Sequence, residues 1–548
     1  MKRGILFSNV LLASICIALL AVSAQAQVQW AKRIASATTL PSGEPDVGMC
    51  LDTNGNCYVT GFYDGTNDFG GVILTNKSVG GSDIFVAKYN TNGALQWAQR
   101  AGGSSPNLNN GRGIGVDTNG NVYVAGGFYG PADFGSSNLP ATQNEEFFLA
   151  KYNSAGTVQW VQQSVGGNAD GEDDVYGTGL AVDGAGNCYA VGVANNGATI
   201  TFGTTNLLNA NTGDYSTFLV KYDNTGTVKW AQLMGGSGWA YACKVAVDTN
   251  GNVYVSGCFY GYIEIGTSMV LSSPGSTKNM FLAKFNSSGV LTWVQQPTGG
   301  DPDGDGGLAV DQAGNVYVPN FIDSPINFGS ISLTNTATYD AFVAKYNSSG
   351  VIQWARMAGG TNLGVYNAYL DNALDSAGNV YAGGALSSAA GGNNGSPVAV
   401  IAKYSPAGTL QWAYTASGPP ASPVSSMVVK CAVDSSNNCF LAGWYQPTNT
   451  FGTNVLQPLE TWNYFLAKVA APAPPTLGIV LSNGVPQLSL AGAISSIFSL
   501  QYSPTLAATN TPWQTLTTLA LTNSPQLYLD TSAPSGTNRF YRAGPPAL

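Results

Sequence analysis

The chain of 548 residues contains no histidine, which excludes a Ser-His-Asp triad, a Cys-His pair and any histidine-ligated metal centre. Charge is also scarce, at 9% of residues, and its sign is acidic: 21 basic against 30 acidic residues give −9. Loss of a leader carrying Lys2 and Arg3 would leave 19 against 30, or −11, which disfavours nucleic acid and anionic lipid as partners. No apolar stretch after residue 26 reaches the roughly 18–20 residues that a spanning helix needs, and no helical periodicity is present. Cysteine is present in odd number once the leader is gone, seven of the eight remaining, so they cannot all pair within one chain. Cys57, Cys188 and Cys439 occupy a slot that is valine in the other four copies of the repeat described next, and read as small buried hydrophobes. Cys50 with Cys57, Cys243 with Cys258 and Cys431 with Cys439 flank hairpin turns, but sequence does not give the Cα spacing a disulfide requires.

What the chain has in abundance is glycine, 69 residues, tyrosine, 27, and one pattern repeated seven times. D-x-x-G-N-x-Y or a close variant starts at Asp52, Asp117, Asp183, Asp248, Asp311, Asp375 and Asp434, at intervals of 65, 66, 65, 63, 64 and 59 residues. A period of that size fixes a repeat architecture. Within a unit, alternating apolar positions predict four short strands, as at 113–117, 121–124, 148–152 and 158–160. Glycine stands fourth in the first turn, where positive φ is needed, and the seventh copy substitutes Asn437, the next most tolerant residue. A fixed nine-residue step from lysine to tryptophan, as from Lys151 to Trp160, spans a second hairpin. The seventh copy, Phe465-Leu466-Ala467-Lys468, has no tryptophan after it, whereas Val28-Gln29-Trp30-Ala31 stands alone near the start. The missing strand is thus expected from the N-terminus, closing the last sheet and leaving no open edge.

These residues carry a resemblance. G-h-x-V-D-x-x-G-N-x-Y-V followed by F-h-A-K-Y-x-x-x-G-x-h-x-W resembles the seven-bladed β-propeller repeat of secreted bacterial proteins (SBBP type), and its A-V-D-x-x-G-N-V-Y-V core is similar to the NHL repeat. The resemblance implies an all-β fold with a seven-bladed propeller over 27–469, and it implies no single activity and no catalytic residue. The sixth unit departs from the pattern: it lacks the F-G-x-x-x-L segment found at Phe69-Gly70 and its equivalents, so a modified loop is expected there. Residues 1–26, with Lys2, Arg3, an apolar run from Leu11 to Val22 and Ala24-Gln25-Ala26, have the form of a cleaved secretory signal peptide, which points to a secreted or cell-surface protein. Residues 470–476 form a Pro/Ala linker, and 477–548 read as a small β-sandwich of immunoglobulin or fibronectin type that serves attachment or spacing.

Few residues suggest chemistry. The seven turn aspartates superficially have the look of a calcium loop, but Tyr63 stands where its bidentate glutamate belongs, and aspartate readily caps its own turn. Asp301, Asp303 and Asp305, with Gly306 sixth, lie outside the repeat at a spacing that wraps a hard cation, so Ca2+ is the one cofactor suggested. The other reading is a solvated acidic loop. Glu172, Asp173 and Asp174 occupy the corresponding loop of the third unit. Antiparallel order puts the tight turns on one face and the long variable loops on the other, which is the expected binding surface. Aromatics that follow the second strand gather there: Phe62 and Tyr63, Phe128 and Tyr129, Phe259 and Tyr260, Trp444 and Tyr445. Beside carboxylates they suit sugars or protein side chains, unless they pack inward between blades. The sequence therefore favours a non-catalytic extracellular propeller that binds a glycan or a protein. The alternative is a polysaccharide-acting enzyme that works through two carboxylates.

Overall fold

In the computed structural model the chain is all-β: every regular element of the described residues is a strand. The described residues are 27–38, 47–77, 80–103, 106, 108–140, 144–166, 174–195, 199–208, 215–236, 238–265, 269–273, 277–302, 306–358, 367–387, 397–417, 426–470, 476–482, 485–491, 497–503, 514–520, 526–530, 532 and 540–544. The expected signal peptide and the loop at 388–396, where the sixth unit lacks its F-G segment, lie outside them. Two compact units are present, one of Val28–Thr409 with Thr415–Ala470, the other of Ala471–Leu548 with Leu410–Tyr414 and Met1–Gln27.

Among the described residues seven sheets share one antiparallel meander. Their first strands are Val47–Leu51, Asn110–Val116, Val175–Val182, Ala240–Val247, Ala309–Val310, Ala368–Leu374 and Ser426–Val433, each ending just before a turn aspartate. The second unit shows the match to sequence: the four predicted strands are Asn110–Val116, Val122–Phe128, Glu146–Tyr152 and Val158–Val165. In the seventh sheet the order is Ser426–Val433, Cys439–Tyr445, Trp462–Ala470 and then Gln27–Ala37, so the fourth strand comes from the other end of the chain.

The repeated residues explain the turns. Each turn aspartate accepts two backbone N–H groups through Oδ1 at 2.8–3.1 Å. Its Oδ2 takes the side-chain amide of the motif asparagine and, in six repeats, the tyrosine hydroxyl at 3.1–3.4 Å. The carboxylates are thus consumed inside their own turns. The fourth turn residue has φ between 75° and 82° in the six glycine copies and 63° at Asn437, the left-handed region that selects these two residue types.

Tryptophan and lysine join neighbouring sheets. The indole N–H groups of Trp30, Trp97, Trp160, Trp230, Trp293 and Trp354 each donate at 3.0–3.3 Å to a carbonyl in the lysine-to-tryptophan hairpin of the next sheet, for Trp30 that of the first sheet. The hairpin glycine lies flat on that indole: a Cβ added at Gly93, Gly156, Gly226, Gly289, Gly350 or Gly408 would stand 2.7–3.2 Å from the ring. Lys151, Lys221, Lys284 and Lys345 donate to the same carbonyls as the tryptophan of their own sheet at 2.9–3.3 Å. The two residue types therefore mark packing between sheets.

The F-G segments, which the strand pattern of the sequence left as loops, are short hairpins. Ala132–Phe134 with Ser137–Leu139 adds to the outer edge of the preceding sheet through Ala132 opposite Gly103, and Thr199–Phe202 and Gly261–Ile265 do the same one and two sheets on. Covered edges do not template further pairing. Strand Trp462–Ala470 of the first compact unit and strand Thr476–Ser482 of the other take up the two ends of the expected spacer. Beyond it are two three-stranded antiparallel sheets, Thr476–Ser482, Val485–Ala491 and Gln526–Leu529, and Gln514–Ala520, Ile497–Ser503 and Phe540–Gly544.

Candidate functional site

Six of the eight aromatics expected on the binding face are inside the protein. Phe62, Tyr63, Phe128, Phe259 and Tyr445 have no exposed surface and Trp444 is 3% exposed. The reason is that both faces of every second strand are covered by a neighbouring sheet, so alternation carries neither side chain to solvent. Phe62 meets Tyr464 edge-on at 5.8 Å, and Trp444 meets Trp462 at 5.0 Å. Tyr129 and Tyr260, one residue past their strands, are half-exposed. Glu172, Asp173, Asp303 and Asp305 lie outside the described residues. Asp301 accepts the Lys278 N–H at 3.0 Å, and Asp174 Oδ1 accepts the Glu145 N–H at 3.0 Å, so both cap backbone. Among the described residues no group of three or more acidic or cysteine side chains could hold a metal ion. Cys50, Cys57, Cys188, Cys431 and Cys439 are free thiols, so Cys50–Cys57 and Cys431–Cys439 are not disulfides; the Cys243 side chain, the expected partner of Cys258, is not described.

The first strands of six of the sheets and, at the fifth, Leu308 directly before Ala309–Val310 line one cavity of about 190 Å3. Its character is set four residues before each turn aspartate, by Gly48, Gly113, Gly179, Lys244, Gly307, Asp371 and Lys430. Glycine there lets first strands of adjacent sheets approach closely: a Cβ on Gly113 would lie 2.6 Å from that of Leu180. The other three positions introduce charge. Five of these strands carry a β-bulge whose extra residue is Arg112, Thr178, Cys243, Leu370 or Val429, always five before the aspartate. A bulge re-aims a side chain, and at Arg112 and Thr178 it brings a polar group to the cavity wall.

Charges in the cavity are partly balanced. Lys430 Nζ lies 3.5 Å from Asp371 Oδ1, while Asp371 Oδ2 accepts the Cys431 N–H at 2.9 Å. Arg112 pairs with buried Glu145 at 3.3 Å and stacks on Tyr176, 4.5 Å from the ring centre. Burial pushes the Tyr176 hydroxyl up to about 12, with Arg112 opposing the rise, so it stays a neutral donor. From Tyr176 a line of half-exposed rings continues along the loop ends of the strands. Its hydroxyl bonds that of Tyr241, which stacks on Trp239 at 5.4 Å and 12°, and Trp239 stacks on Tyr260 at 5.9 Å and 10°. Lys278 sits 5.9 Å from the Trp239 ring. On the other side of Arg112, the Tyr129 hydroxyl reaches Asp174 at 3.5 Å. Sequence reasoning singled out Tyr129, Asp174 and Tyr260 but missed Arg112, Tyr176, Trp239, Tyr241, Lys244, Asp371 and Lys430. A signal existed in these last three, the only charged residues four before the aspartate, a position otherwise held by glycine.

Residues 96–126 match the family described as SBBP, beta-propeller repeat. Over 243 residues the chain is 25% identical to an uncharacterized WD repeat-containing protein of Acanthamoeba polyphaga mimivirus, a match that takes in 37% of this chain and 16% of that protein. Among solved structures, the polysaccharide lyase Uly1 is similar over 82% of this chain and 99% of its own, at 10% identity and a TM-score of 0.41. A protein of unknown function from Dyadobacter fermentans is similar over 81% and 100%, at 9% identity and a TM-score of 0.36. With the matched repeat and the recurring four-strand sheets together, the chain is an all-β protein built from β-propeller repeats.

Proposed function

We propose that the seven sheets are the blades of a closed propeller over 27–469, carried outside the cell after cleavage before Gln27, and that it is a non-catalytic module binding a glycan on the loop face. Closure is supported by the packing of each first strand on the next, with that of the seventh sheet on that of the first, and by the Trp30 bond to Thr91 of the first sheet. On this reading 470–476 is a spacer and 477–548 a β-sandwich for attachment or spacing.

The observation that carries the binding reading is the rank of half-exposed rings, Tyr241, Trp239 and Tyr260, beside the Arg112–Tyr176 stack. Aromatic faces with polar groups at their edges suit sugar rings, which are apolar on their C–H faces and polar at their rims. Binding is favoured over glycosidic cleavage because the rim carboxylates are already engaged, Glu145 by Arg112 and Asp174 by a backbone N–H. A two-carboxylate mechanism needs both groups free on opposite sides of the bond. The test is retention of the purified chain on an immobilised glycan array, with product release read from the same spots. Retention that falls about tenfold or more in Trp239→Ala, without release of product, is the expected result; release of product, or retention unchanged in that variant, overturns it.

A further inference from the structure

We infer that the cavity between the first strands is a subsite for one neutral sugar unit, its ring set against an apolar wall and one hydroxyl donating to Asn372. This deepens the glycan reading and rests on it for the source of the ligand. The residue three before each turn aspartate lines the cavity, so every repeat contributes one equivalent side chain to the wall. Six of these are apolar, Met49, Ile114, Leu180, Val245, Leu308 and, as a small hydrophobe, Cys431. The seventh is Asn372. Burying a carboxamide where the other repeats place hydrocarbon is unfavourable unless both its ends are bonded. Asn372 is 6% exposed, and its amide nitrogen donates to the Tyr317 carbonyl at 3.0 Å, but its Oδ1 accepts from no protein group. A ligand hydroxyl supplies the missing donor.

The charged groups of the wall do not call for a charged ligand. Lys430 pairs with Asp371, Arg112 pairs with Glu145, and Lys244 is engaged within the protein as well. A charge brought by the ligand would compete with these partners, whereas a hydroxyl, which gives one hydrogen bond and takes two, adds to them. Thr178 also lines the cavity; its hydroxyl donates to the Ala242 carbonyl at 2.6 Å and keeps its lone pairs as acceptors. A mostly apolar wall with a few fixed polar groups suits a sugar ring, whose C–H faces meet the hydrocarbon and whose rim meets Asn372. Water would satisfy the same hydrogen bonds but leave the six apolar side chains wet. The volume, about 190 Å3, equals roughly six waters at about 30 Å3 each, room for one sugar ring and not for a longer chain.

Calorimetric titration of the full chain with D-glucose, D-galactose, D-mannose, D-glucuronate and glycerol tests this. Saturable binding of at least one of the three hexoses, at least about tenfold tighter than glycerol and little changed by salt, is expected. Asn372→Leu, which gives the sixth repeat the apolar residue of the others, should lower that affinity about tenfold or more. Val245→Phe narrows the cavity from a different sheet and should do the same, so the result does not hang on one variant. Lys229→Met, a change at the lysine paired with Asp223 on a hairpin turn, is the control and should leave binding unchanged. No binding of any hexose overturns the assignment, as does binding untouched by Asn372→Leu or by Val245→Phe. Glucuronate held about tenfold tighter than every hexose, and lost as salt is raised, overturns it in favour of an anion. If the array retains glycans through Trp239 while no hexose binds, the cavity inference fails and the rim reading stands. Hexose binding lost in Asn372→Leu, with no spot retained on the array, upholds the cavity and removes the rim.

Discussion

Gly156 has two reasons to be glycine, its φ of 82° and the Trp97 indole, 2.7 Å from where a Cβ would stand. Gly156→Ala should therefore destabilise the protein by on the order of 2 kcal/mol, read as a lower urea midpoint, since left-handed strain and ring displacement act together. Glu146 is a different kind of residue. It is buried at 5% exposure and accepts the Ser164 hydroxyl and, at 3.3 Å, the Gly166 N–H. Burial pushes its pKa up to about 7, with those two hydrogen bonds opposing the rise. A folded value above the unfolded one means that the fold prefers the protonated acid. The stabilisation is fully present below about pH 4.5 and is lost as pH rises toward 7, at up to about 1.4 kcal/mol per unit. Urea unfolding at pH 5 and pH 8 should show this decline in the wild type and a flatter profile in Glu146→Gln; parallel profiles would count against it.

At the level of elements, the joint between sheets rests on one carbonyl taking two donors. Ser287 O accepts the Trp230 indole N–H at 3.1 Å and Lys221 Nζ at 3.3 Å. Removing either donor alone leaves the carbonyl satisfied, so Trp230→Phe and Lys221→Met should each cost about 1 kcal/mol in hydrogen bonding. The double variant should exceed their sum by about 1 kcal/mol, because the carbonyl then loses both. A strictly additive double-mutant cycle in chemical denaturation would show that the two bonds act separately. The turn that precedes each second strand was legible in sequence because all its partners lie within seven residues, Asp52 with Asn54, Asn56 and Tyr58. The bulge at Arg112 was not legible, since an extra residue in one strand is defined only against its partner's register.

For the whole molecule, the strand Gln27–Ala37 is the element on which the ring reading depends. It lies beside Trp462–Ala470, buries Ile34, Ala35, Ser36 and Ala37, and sends Trp30 to Thr91. Removing 27–37 should expose the edge of Trp462–Ala470, lower stability by several kcal/mol and promote association through that edge. Light scattering and denaturant unfolding of the shortened chain check this; a monomer of unchanged stability would show that the strand closes nothing.

What the sequence alone determined is what repeats. The Asp-x-x-Gly-Asn turns, the lysine-to-tryptophan hairpins and the four-strand meander recur at a near-constant period, because each is a local solution that neighbouring sheets need in the same form. The tertiary structure decided which of the non-repeating residues meet. It placed Phe62 and Trp444 between sheets, since both faces of a second strand are covered, and it brought Lys244, Asp371 and Lys430 from three separate sheets to one cavity. Positions more than a hundred residues apart in the chain share that wall only because first strands pack side by side, a relation that no pattern within a single unit contains.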